Sequence, residues 1–154
     1  MDVTAETTAI EREISIAASP ETIWGFLVDP MKATRWMGQE AFFDPWPGGE
    51  YRVEVITGEI AIGEFVELDR PRRLVFTWGW QEGSTSGVPA GSSTVEIDLV
   101  PERDGTTLCF RHSGLPTQDA VQRHTHGWDH YLARLQSAAQ GDDPGRDPWL
   151  DGMT

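Results

Sequence analysis

The segment VQRHTHGWDHYLARL, residues 121–135, predicts an α-helix, because its large side chains recur at helical spacing. Counted at about 100° per residue, one face of this helix carries a stripe of mainly apolar side chains within about 60° of Trp128. The stripe consists of Val121, His124, Thr125, Trp128, Tyr131, Leu132 and Leu135. Since Thr117 can cap the helix and Gly141 can end it, we expect it to run to about Gln140.

This stripe needs an apolar surface to cover it, and the segment before the helix supplies one. From residue 41 onward the hydrophobic period is two, which is typical of half-buried antiparallel strands. The most aromatic of these strands has one face made of Leu74, Phe76, Trp78 and Trp80. A Gly- and Ser-rich stretch at 82–92 predicts a long loop after that strand. We therefore expect the long helix to pack on an aromatic face of a sheet.

The first third of the chain predicts one strand and two short helices. Isoleucines separated mostly by polar residues indicate a strand over residues 10–16. The run Ser19-Pro20-Glu21 is a strong helix start, because Ser can cap a helix and Pro fits its first turn. A second short helix is expected near residues 31–36.

The order of these elements predicts an α+β domain: one strand, two short helices, about six antiparallel strands and a long C-terminal helix. We expect a curved antiparallel sheet of six to seven strands wrapped around that helix, with room for a cavity between the layers. The domain is expected to span residues 10–140. Residues 1–9 predict a flexible N-terminal tail, and residues 141–154 a C-terminal tail whose Trp149 and Leu150 can dock on the domain.

Composition narrows the class of protein. The 154 residues suit one domain, and 12 basic against 25 acidic residues give a formal net charge of −13. Such a charge opposes binding to nucleic acid and to anionic membrane surfaces. No apolar run approaches the roughly 18 residues of a membrane-inserted helix, and the first residues lack a signal-peptide pattern. Because a single cysteine, Cys109, permits no internal disulfide, we expect a cytoplasmic protein.

Four segments of the chain carry a family pattern in a fixed order. The first segment, 10–36, has a strand, a Ser-Pro-Glu helix start and a following Trp, and the second, 44–55, has a Pro-Gly-Gly turn that leads into an aromatic residue. The third, 63–80, has a strand, a proline turn and an aromatic strand. The fourth, 124–135, is a Gly-Trp motif in the closing helix. Through these segments the chain resembles the START-like superfamily, also called SRPBCC or helix-grip. Within it, the chain is similar to the branch named after the activator of the ATPase of the ninety-kilodalton heat shock protein. The resemblance covers about residues 10–140 and implies the helix-grip fold.

The resemblance implies less about function than about fold. Members of the superfamily bind sterols, lipids, plant hormones or polyketides, and some of them cyclise or hydrolyse their ligand. The co-chaperone that gives the branch its name has a further N-terminal domain, for which we expect no room in this chain. Resemblance to the branch therefore does not imply that this protein binds a chaperone.

Aromatic side chains on the sheet and the helix indicate an apolar cavity that favours a flat or hydrophobic ligand. The candidate ligand-binding residues are Trp36, Tyr51, Phe76, Trp78, Trp80, Phe110, His124 and Trp128. The alternative is that these rings fill the space themselves, and neither periodicity nor spacing separates the two. Entry to the cavity is expected past residues 82–92 and 36–47, the two longest irregular stretches.

Two histidines and one glutamate are the candidates for chemistry. His124 lies on the buried stripe one turn before Trp128, where it could orient a ligand oxygen, shuttle a proton, or simply bond a backbone carbonyl. His112 shares the parity of the inward residues of its strand. Glu64 would complete a general acid–base pair if it faced inward, although the solvent side suits it better. These three residues are weak catalytic candidates.

The remaining polar groups indicate structure rather than chemistry. His126 and His130 share a helix face and could hold a metal, but that face lies about 160° from Trp128, where we expect solvent. Cys109 is expected to be an inert, partly buried thiol. The glycines of PWPGGEY (45–51) precede a strand and lack a following lysine, so they do not form a phosphate loop. We expect neither a metal nor a cofactor.

Three functions are compatible with these observations; the first is preferred, and the third ranks just above the second. The first is a small cytoplasmic protein that binds a hydrophobic or aromatic small molecule between the sheet and the long helix. The second is an enzyme of the polyketide cyclase or hydrolase kind that uses His124, or His112 with Glu64. The third is an interaction module, either a homodimer or the less favoured chaperone partner, that uses surface residues such as Trp46 and Trp149.

Overall fold

The computed structural model describes residues 9–84 and 86–151. Residues 1–8, Thr85 and residues 152–154 lie outside it, and with them nearly all of the predicted N-terminal tail and the end of the predicted C-terminal tail. The described part of the chain is an α+β domain, which confirms the predicted fold class. None of its helices is both long and apolar enough to cross a membrane.

The described residues contain seven strands and three α-helices. The strands are β1 (Ile10–Ile16), β2 (Glu40–Phe43), β3 (Glu50–Ile56), β4 (Glu59–Asp69), β5 (Arg73–Trp78), β6 (Ser93–Glu102) and β7 (Gly105–Ser113). The helices are α1 (Pro20–Val28), α2 (Pro30–Ala33) and α3 (Gln118–Ala139), and a 3₁₀ turn follows at Pro148–Asp151. Helix α2 therefore ends earlier than the predicted range of 31–36.

All seven strands form one antiparallel sheet in the order β1-β7-β6-β5-β4-β3-β2. Strands β1 and β7 pair, with Ile10 opposite His112, so β1 and β2 are the two edges of the sheet. Strand β2 was not indicated by the sequence pattern, because four residues are too few to show a period. The stretch 36–47, expected to be irregular, therefore contains an edge strand that pairs with β3.

The helix ends follow the predicted capping chemistry. The Ser19 hydroxyl accepts a hydrogen bond from the backbone N–H of Thr22 over 3.1 Å at the start of α1. Thr117 caps α3 in the same way, accepting from the N–H of Ala120 over 3.0 Å. After α3 ends, Gly141 has a φ of +94°, a left-handed conformation that glycine adopts without strain.

The core lies between the sheet and α3, and it contains the predicted stripe of that helix. Val121, His124, Trp128, Tyr131, Leu132 and Leu135 are buried, and Thr125 is half-buried. On the sheet, burial alternates along each strand, as it does at Tyr51, Val53 and Val55 of β3. The two apolar surfaces therefore meet as the hydrophobic periods predict.

Strand β4 shows which face of the sheet is turned inward. Ala61 and Phe65 are buried, whereas Glu64 between them is exposed. Gly63 belongs to the inward set and is closely approached, because a Cβ there would lie 1.8 Å from the carbonyl oxygen of Thr77. Glu64 therefore lies on the solvent side of β4, whereas Ala61, Gly63 and Phe65 lie on the inward side.

Candidate ligand-binding pocket

A pocket of about 370 Å³ opens between α3 and the sheet, at the end where β3 finishes, β4 begins and β5 finishes. Small-molecule sites commonly have volumes of roughly 300 to 1,000 Å³. The apolar lining consists of Met37, Val55, Ile56, Trp78, Trp80, Trp128, Tyr131 and Trp149, with Gly127 beside them. The polar lining consists of Glu59, Ser84, Ser86, Arg123 and His124.

Half of the predicted ligand-binding residues line this pocket, namely Trp78, Trp80, His124 and Trp128. Trp78 ends β5 and Trp80 follows it, so strand alternation turns both rings toward α3. From the other side, the buried stripe of the helix supplies His124 and Trp128, and the ring centroids of Trp78 and Trp128 are 5.0 Å apart. The pocket is therefore built where the two predicted aromatic surfaces meet.

The other four predicted residues, Trp36, Tyr51, Phe76 and Phe110, are packed in the core and do not line the pocket. Tyr51 stacks on Phe76 with ring centroids 4.1 Å apart. The indole N–H of Trp36 donates to the carbonyl oxygen of Phe26 over 2.9 Å. These rings fill the space themselves, as the alternative interpretation has it, because they lie away from the end of the sheet where the pocket opens.

His124 is buried in the pocket wall with both ring nitrogens already bonded. Nδ1 lies 2.8 Å from the carbonyl oxygen of Ala120, which can only accept, so Nδ1 carries the proton. Nε2 then accepts a hydrogen bond from the indole N–H of Trp80 over 3.1 Å. Burial lowers the pKa of His124 and outweighs the bond to Ala120, which raises it; the charge of Arg123 lowers it further. The neutral ring is therefore the favoured form.

His112 adopts the other tautomer. The indole N–H of Trp128 donates to Nδ1 over 2.9 Å, so the proton of His112 is on Nε2. Nε2 donates to the Ser93 hydroxyl over 2.8 Å, and that hydroxyl donates to the carbonyl oxygen of Trp78 over 2.7 Å. Burial lowers the pKa of His112 to about 3, and the neighbouring His124 contributes to the shift.

The structure does not bring Glu64 together with either buried histidine, because Glu64 lies on the solvent side of β4. The acid–base pair of His112 with Glu64 is therefore not formed. Since both ring nitrogens of His112 and of His124 have partners, neither ring has a free nitrogen for a ligand.

The segment after α3, residues 141–151, folds back over the helix, and we call it the C-terminal strap. Its Trp149 is buried, lines the pocket and stacks on His130 with ring centroids 3.7 Å apart. On the face of α3 expected to be solvated, His126 is exposed as predicted, whereas His130 is only partly exposed because the strap covers it. Trp149 is likewise not a surface residue, whereas Trp46 is 68% exposed.

A buried carboxylate holds the C-terminal strap on the helix. Asp147 is 3% exposed, and its two oxygens lie 2.9 Å and 3.0 Å from Nε2 of His130. Asp147 also accepts a hydrogen bond from the backbone N–H of Trp149 over 2.9 Å. From α3, the guanidinium of Arg134 donates to the carbonyl oxygen of Gly145 over 2.7 Å. The strap is thus a bonded part of the pocket wall.

Gly127 lies in the middle of α3 and lines the pocket. Apart from its two chain neighbours and the surrounding backbone of α3, no heavy atom lies within 4 Å of the position that its Cβ would occupy. Glycine in a helix interior is about 1 kcal/mol less favourable than alanine. The helix therefore leaves open space at this position, although a larger residue would stabilise it.

Two buried polar atoms of pocket-lining residues have no hydrogen-bond partner among the residues that the structure describes. They are Nε1 of Trp78 and the hydroxyl oxygen of Tyr131, whose side chains are 3% and 5% exposed. Burial raises the pKa of Tyr131, as does the charge of Asp147, so its hydroxyl keeps its proton. A buried unpaired polar group costs about 1–3 kcal/mol.

Charges of both signs stand at the mouth of the pocket. Arg123 is about half exposed and pairs with Asp119, one turn earlier in α3, over 3.4 Å. Glu59 accepts a hydrogen bond from the Ser84 hydroxyl over 3.1 Å. Since Ser84 and Ser86 belong to the loop at 82–92, this loop borders the pocket.

Metal binding and thiol chemistry find no support near the pocket. Within residues 9–84 and 86–151, no group of three His, Cys, Asp or Glu side chains could hold a metal ion. Cys109 is half-buried on β7, outside the pocket lining. Burial raises the pKa of its thiol, and Glu13 adds to the effect, so the unreactive protonated form is favoured.

Comparison with known families and structures gives a consistent result. The family model described as activator of Hsp90 ATPase homolog 1-like protein matches residues 17–140. An AHSA1-like protein from Rhizobium etli is 42% identical, the match covering 95% of this chain and 92% of that one with a TM-score of 0.73. No curated protein sequence matches the chain.

Two more distant structures share the fold. CalU16 from Micromonospora echinospora is 29% identical over 94% of this chain and 71% of its own, with a TM-score of 0.73. The Aha1 dimer from Colwellia psychrerythraea is 18% identical over 90% of this chain and 98% of its own, with a TM-score of 0.74. At that identity the second likeness concerns the fold alone.

Proposed function

Because the chain belongs to the activator of Hsp90 ATPase homolog 1-like family, we propose that it is a cytoplasmic START-like protein that binds a hydrophobic or aromatic small molecule between the sheet and α3. The pocket of about 370 Å³ supplies the space, and its lining is mainly aromatic and aliphatic. Burial of apolar ligand surface, worth about 25 cal/mol per Å² before ordering costs, would supply most of the affinity.

The observation that carries the proposal is the open space in front of Gly127. Protein interiors pack closely, and a cavity removes favourable contacts from the side chains around it. Here a helix-destabilising glycine lies beside a cavity that a single side chain could reduce. The free energy of unfolding is thus lower than it would be with this space filled. A bound ligand would supply the contacts that the side chains around the cavity lack.

Binding rather than catalysis is the function that the polar groups favour. A general base needs a nitrogen or oxygen within reach of the substrate and free to take its proton. Both nitrogens of His124 are bonded to Ala120 and Trp80, and His112 does not line the pocket. The cyclase or hydrolase alternative therefore cannot use either buried histidine as its acid–base group in this arrangement.

One surface observation favours a second role, in self-association. Trp46 lies between β2 and β3 and is 68% exposed, which is unusual for the largest side chain. A relative of the same fold, from Colwellia, is described as a dimer. We propose a homodimer that uses Trp46, with a chaperone partner as the less favoured occupant. Light scattering should show a dimer that Trp46→Ser weakens, and a monomer at all concentrations would contradict this.

Native mass spectrometry of the purified protein tests the main proposal first. We expect either a co-purified hydrophobic compound, released on denaturation, or binding of the neutral fluorescent probe N-phenyl-1-naphthylamine. Gly127→Leu should reduce the pocket and weaken binding of the probe, because its side chain enters the open space. Gly127→Ala adds one methyl group and serves as the matched control. Unchanged binding in a folded Gly127→Leu variant would place the ligand elsewhere.

A further inference from the structure

Strand β2 leaves a row of backbone groups open at one edge of the sheet, because it pairs only with β3. Just after β2, the N–H of Asp44 donates to the carbonyl oxygen of Glu50. Backbone groups along an antiparallel strand point alternately to one side and the other, so those of Ala41 and Phe43 point away from β3. Among the described residues, no side chain or backbone group bonds them on that side. Four backbone groups, two donors and two acceptors, are therefore open to another chain.

The opposite edge of the sheet, at β1, is covered. The carbonyl oxygen of Ser15 accepts a hydrogen bond from the side chain of Gln136 in α3 over 2.6 Å. The carbonyl oxygen of Glu11 accepts one from the guanidinium of Arg12 over 2.9 Å. Proteins commonly protect their edge strands, because an open edge can pair with a strand of another chain. Of the two edges, β2 is therefore the one suited to receive a strand.

A groove of about 530 Å³ lies beside β2 and gives an added strand room. Ala41 and Phe42 of the strand line it, as does Met31 of α2. The side chains of Phe42 and Met31 are both more than half exposed, so the groove has an apolar surface open to a partner. An apolar side chain opposite Phe42 in an added strand would cover this surface.

Carboxylates lie on both sides of the exposed phenylalanine of β2. Glu40 and Asp44 are two residues before and two after it, and side chains two apart on a strand share a face. Opposite them on β3 are Glu54 and Glu50. Of these four carboxylates, only that of Glu50 has a cationic partner among the described residues, the guanidinium of Arg52 over 3.7 Å. Together with the formal net charge of −13, they favour basic side chains opposite Glu40 and Asp44 in an added strand.

The same charges oppose a second copy of the chain at this edge. If two β2 edges paired antiparallel about Phe42, Glu40 of each copy would lie opposite Asp44 of the other. Like charges directly opposite each other on paired strands are destabilising. A shifted register forms fewer hydrogen bonds, because Pro45 has no N–H and the N–H of Gln39 is already bonded to β3. This edge therefore suits a different, basic chain.

We propose that the β2 edge binds an extended, basic segment of another protein, which adds an eighth strand to the sheet. The segment has an apolar residue opposite Phe42 and a lysine or arginine two positions to either side, opposite Glu40 and Asp44. The residues between these exchange backbone hydrogen bonds with Ala41 and Phe43. This surface is separate from the pocket between the sheet and α3, so either site can fail without the other.

Two peptides of identical composition and charge test the proposal on the unaltered protein. The test peptide is acetyl-Lys-Thr-Val-Thr-Lys-amide. The control is acetyl-Thr-Lys-Val-Lys-Thr-amide, whose lysines are too close together to face Glu40 and Asp44 at once. In a titration followed by NMR, the amide signals of Ala41 and Phe43 should shift with the test peptide. It should bind at least about fivefold more tightly than the control, the effect of one or two charge pairs.

Variants of the protein separate the backbone bonds from the charges. Ala41→Pro removes the N–H that points to the added strand and leaves the bonds of β2 with β3 in place, so it should weaken binding of the test peptide at least about fivefold. Ala41→Val keeps the N–H and is the matched control. Glu40→Gln combined with Asp44→Asn should remove the preference between the peptides. Glu11→Gln combined with Glu13→Gln takes the same charge from β1 and should preserve it.

Equal affinities of the two peptides for the unaltered protein would overturn the proposal, as would an absence of binding or shifts confined to residues away from β2. Signals of Ala41 and Phe43 that depend on protein concentration without peptide would assign the edge to a second copy, and would overturn it as well. Unchanged affinity in a folded Ala41→Pro variant would exclude the backbone bonds. The comparison of the two peptides on the unaltered protein decides the matter even if a variant fails to fold.

Discussion

The indole nitrogen of Trp128 lies 2.9 Å from Nδ1 of His112, and this hydrogen bond joins α3 to β7 inside the core. His112 is fully buried and donates its own N–H to Ser93, so water cannot replace the indole. The bond therefore fixes how the helix lies over the sheet, and with it the position of one pocket wall.

Trp128→Phe should lower the free energy of unfolding by about 3 kcal/mol, because it leaves Nδ1 of His112 unpaired and creates a small cavity. Urea denaturation followed by circular dichroism measures the loss. Trp46→Phe is the control, since that exposed ring should change stability by less than about 0.5 kcal/mol. Equal losses in the two variants would show that the bond contributes nothing to stability.

Stability should fall as the pH falls below the ordinary histidine pKa. Burial lowers the pKa of His112 to about 3, against 6.5 for an unperturbed histidine. Between these values the unfolded chain binds a proton that the folded protein excludes, so the folded state loses up to about 1.4 kcal/mol per pH unit. Above about pH 7 both states are neutral at this site and the effect vanishes. His124, whose pKa burial also lowers, acts in the same direction.

Urea unfolding at several pH values between about 4 and 8 measures this slope. The variant His112→Asn keeps a donor and an acceptor but does not titrate, so its slope should be smaller by about one proton, whatever its absolute stability. A slope identical to that of the wild type would assign the pH dependence to other groups.

Asp147→Ala should release the C-terminal strap before the rest of the protein unfolds. The change leaves His130 without its buried partner and Trp149 without the acceptor of its backbone N–H. We expect a loss of about 2 kcal/mol and rapid chymotrypsin cleavage at the strap, because the strap can open locally. Asp142→Ala, an exposed position in the same segment, should change neither quantity. Resistance to cleavage in the Asp147 variant would contradict the role given to this carboxylate.

Two glycine-to-alanine changes should have opposite signs. Gly63→Ala should destabilise the protein by more than about 2 kcal/mol, because the new Cβ would lie 1.8 Å from the backbone oxygen of Thr77. Gly127→Ala should raise stability by about 1 kcal/mol, since it favours the helix and meets no atom within 4 Å apart from its chain neighbours and the backbone of α3. Thermal unfolding of both variants decides the matter, and a stabilising Gly63→Ala would show that β4 and β5 can separate at little cost.

The parts of the molecule that sequence predicts well are those set by local chemistry. The stripe of α3 and the caps at Ser19 and Thr117 depend on residues within a few positions of one another. The alternation along β5, continued past its end, likewise puts Trp78 and Trp80 on one face. Periodicity predicts which face of a strand a ring lies on, but not how far that ring lies from the end of the sheet where the pocket opens. That distance separates Trp78, which lines the pocket, from Phe76, which does not.

Long-range pairings account for most of what the sequence could not predict. Trp149 lies in a segment without periodicity, and its place depends on the contact of Asp147 with His130 across a chain reversal. Edge strand β2 is too short to show a period. The indole nitrogen of Trp78 and the hydroxyl of Tyr131 are unpaired because no neighbouring polar group among the described residues lies within hydrogen-bond distance of them. The sequence pattern does not predict these distances.

The position of Trp149 couples two events that occur at different places on the molecule. Its ring belongs to the pocket wall, while its backbone belongs to the C-terminal strap that Asp147 holds. By thermodynamic linkage, any molecule that gains affinity from this ring must also lower the equilibrium constant for detachment of the strap, and by the same factor a detached strap must weaken its binding. Occupancy of the pocket can therefore be read from the protease sensitivity of the chain's C-terminal segment, without knowing the ligand.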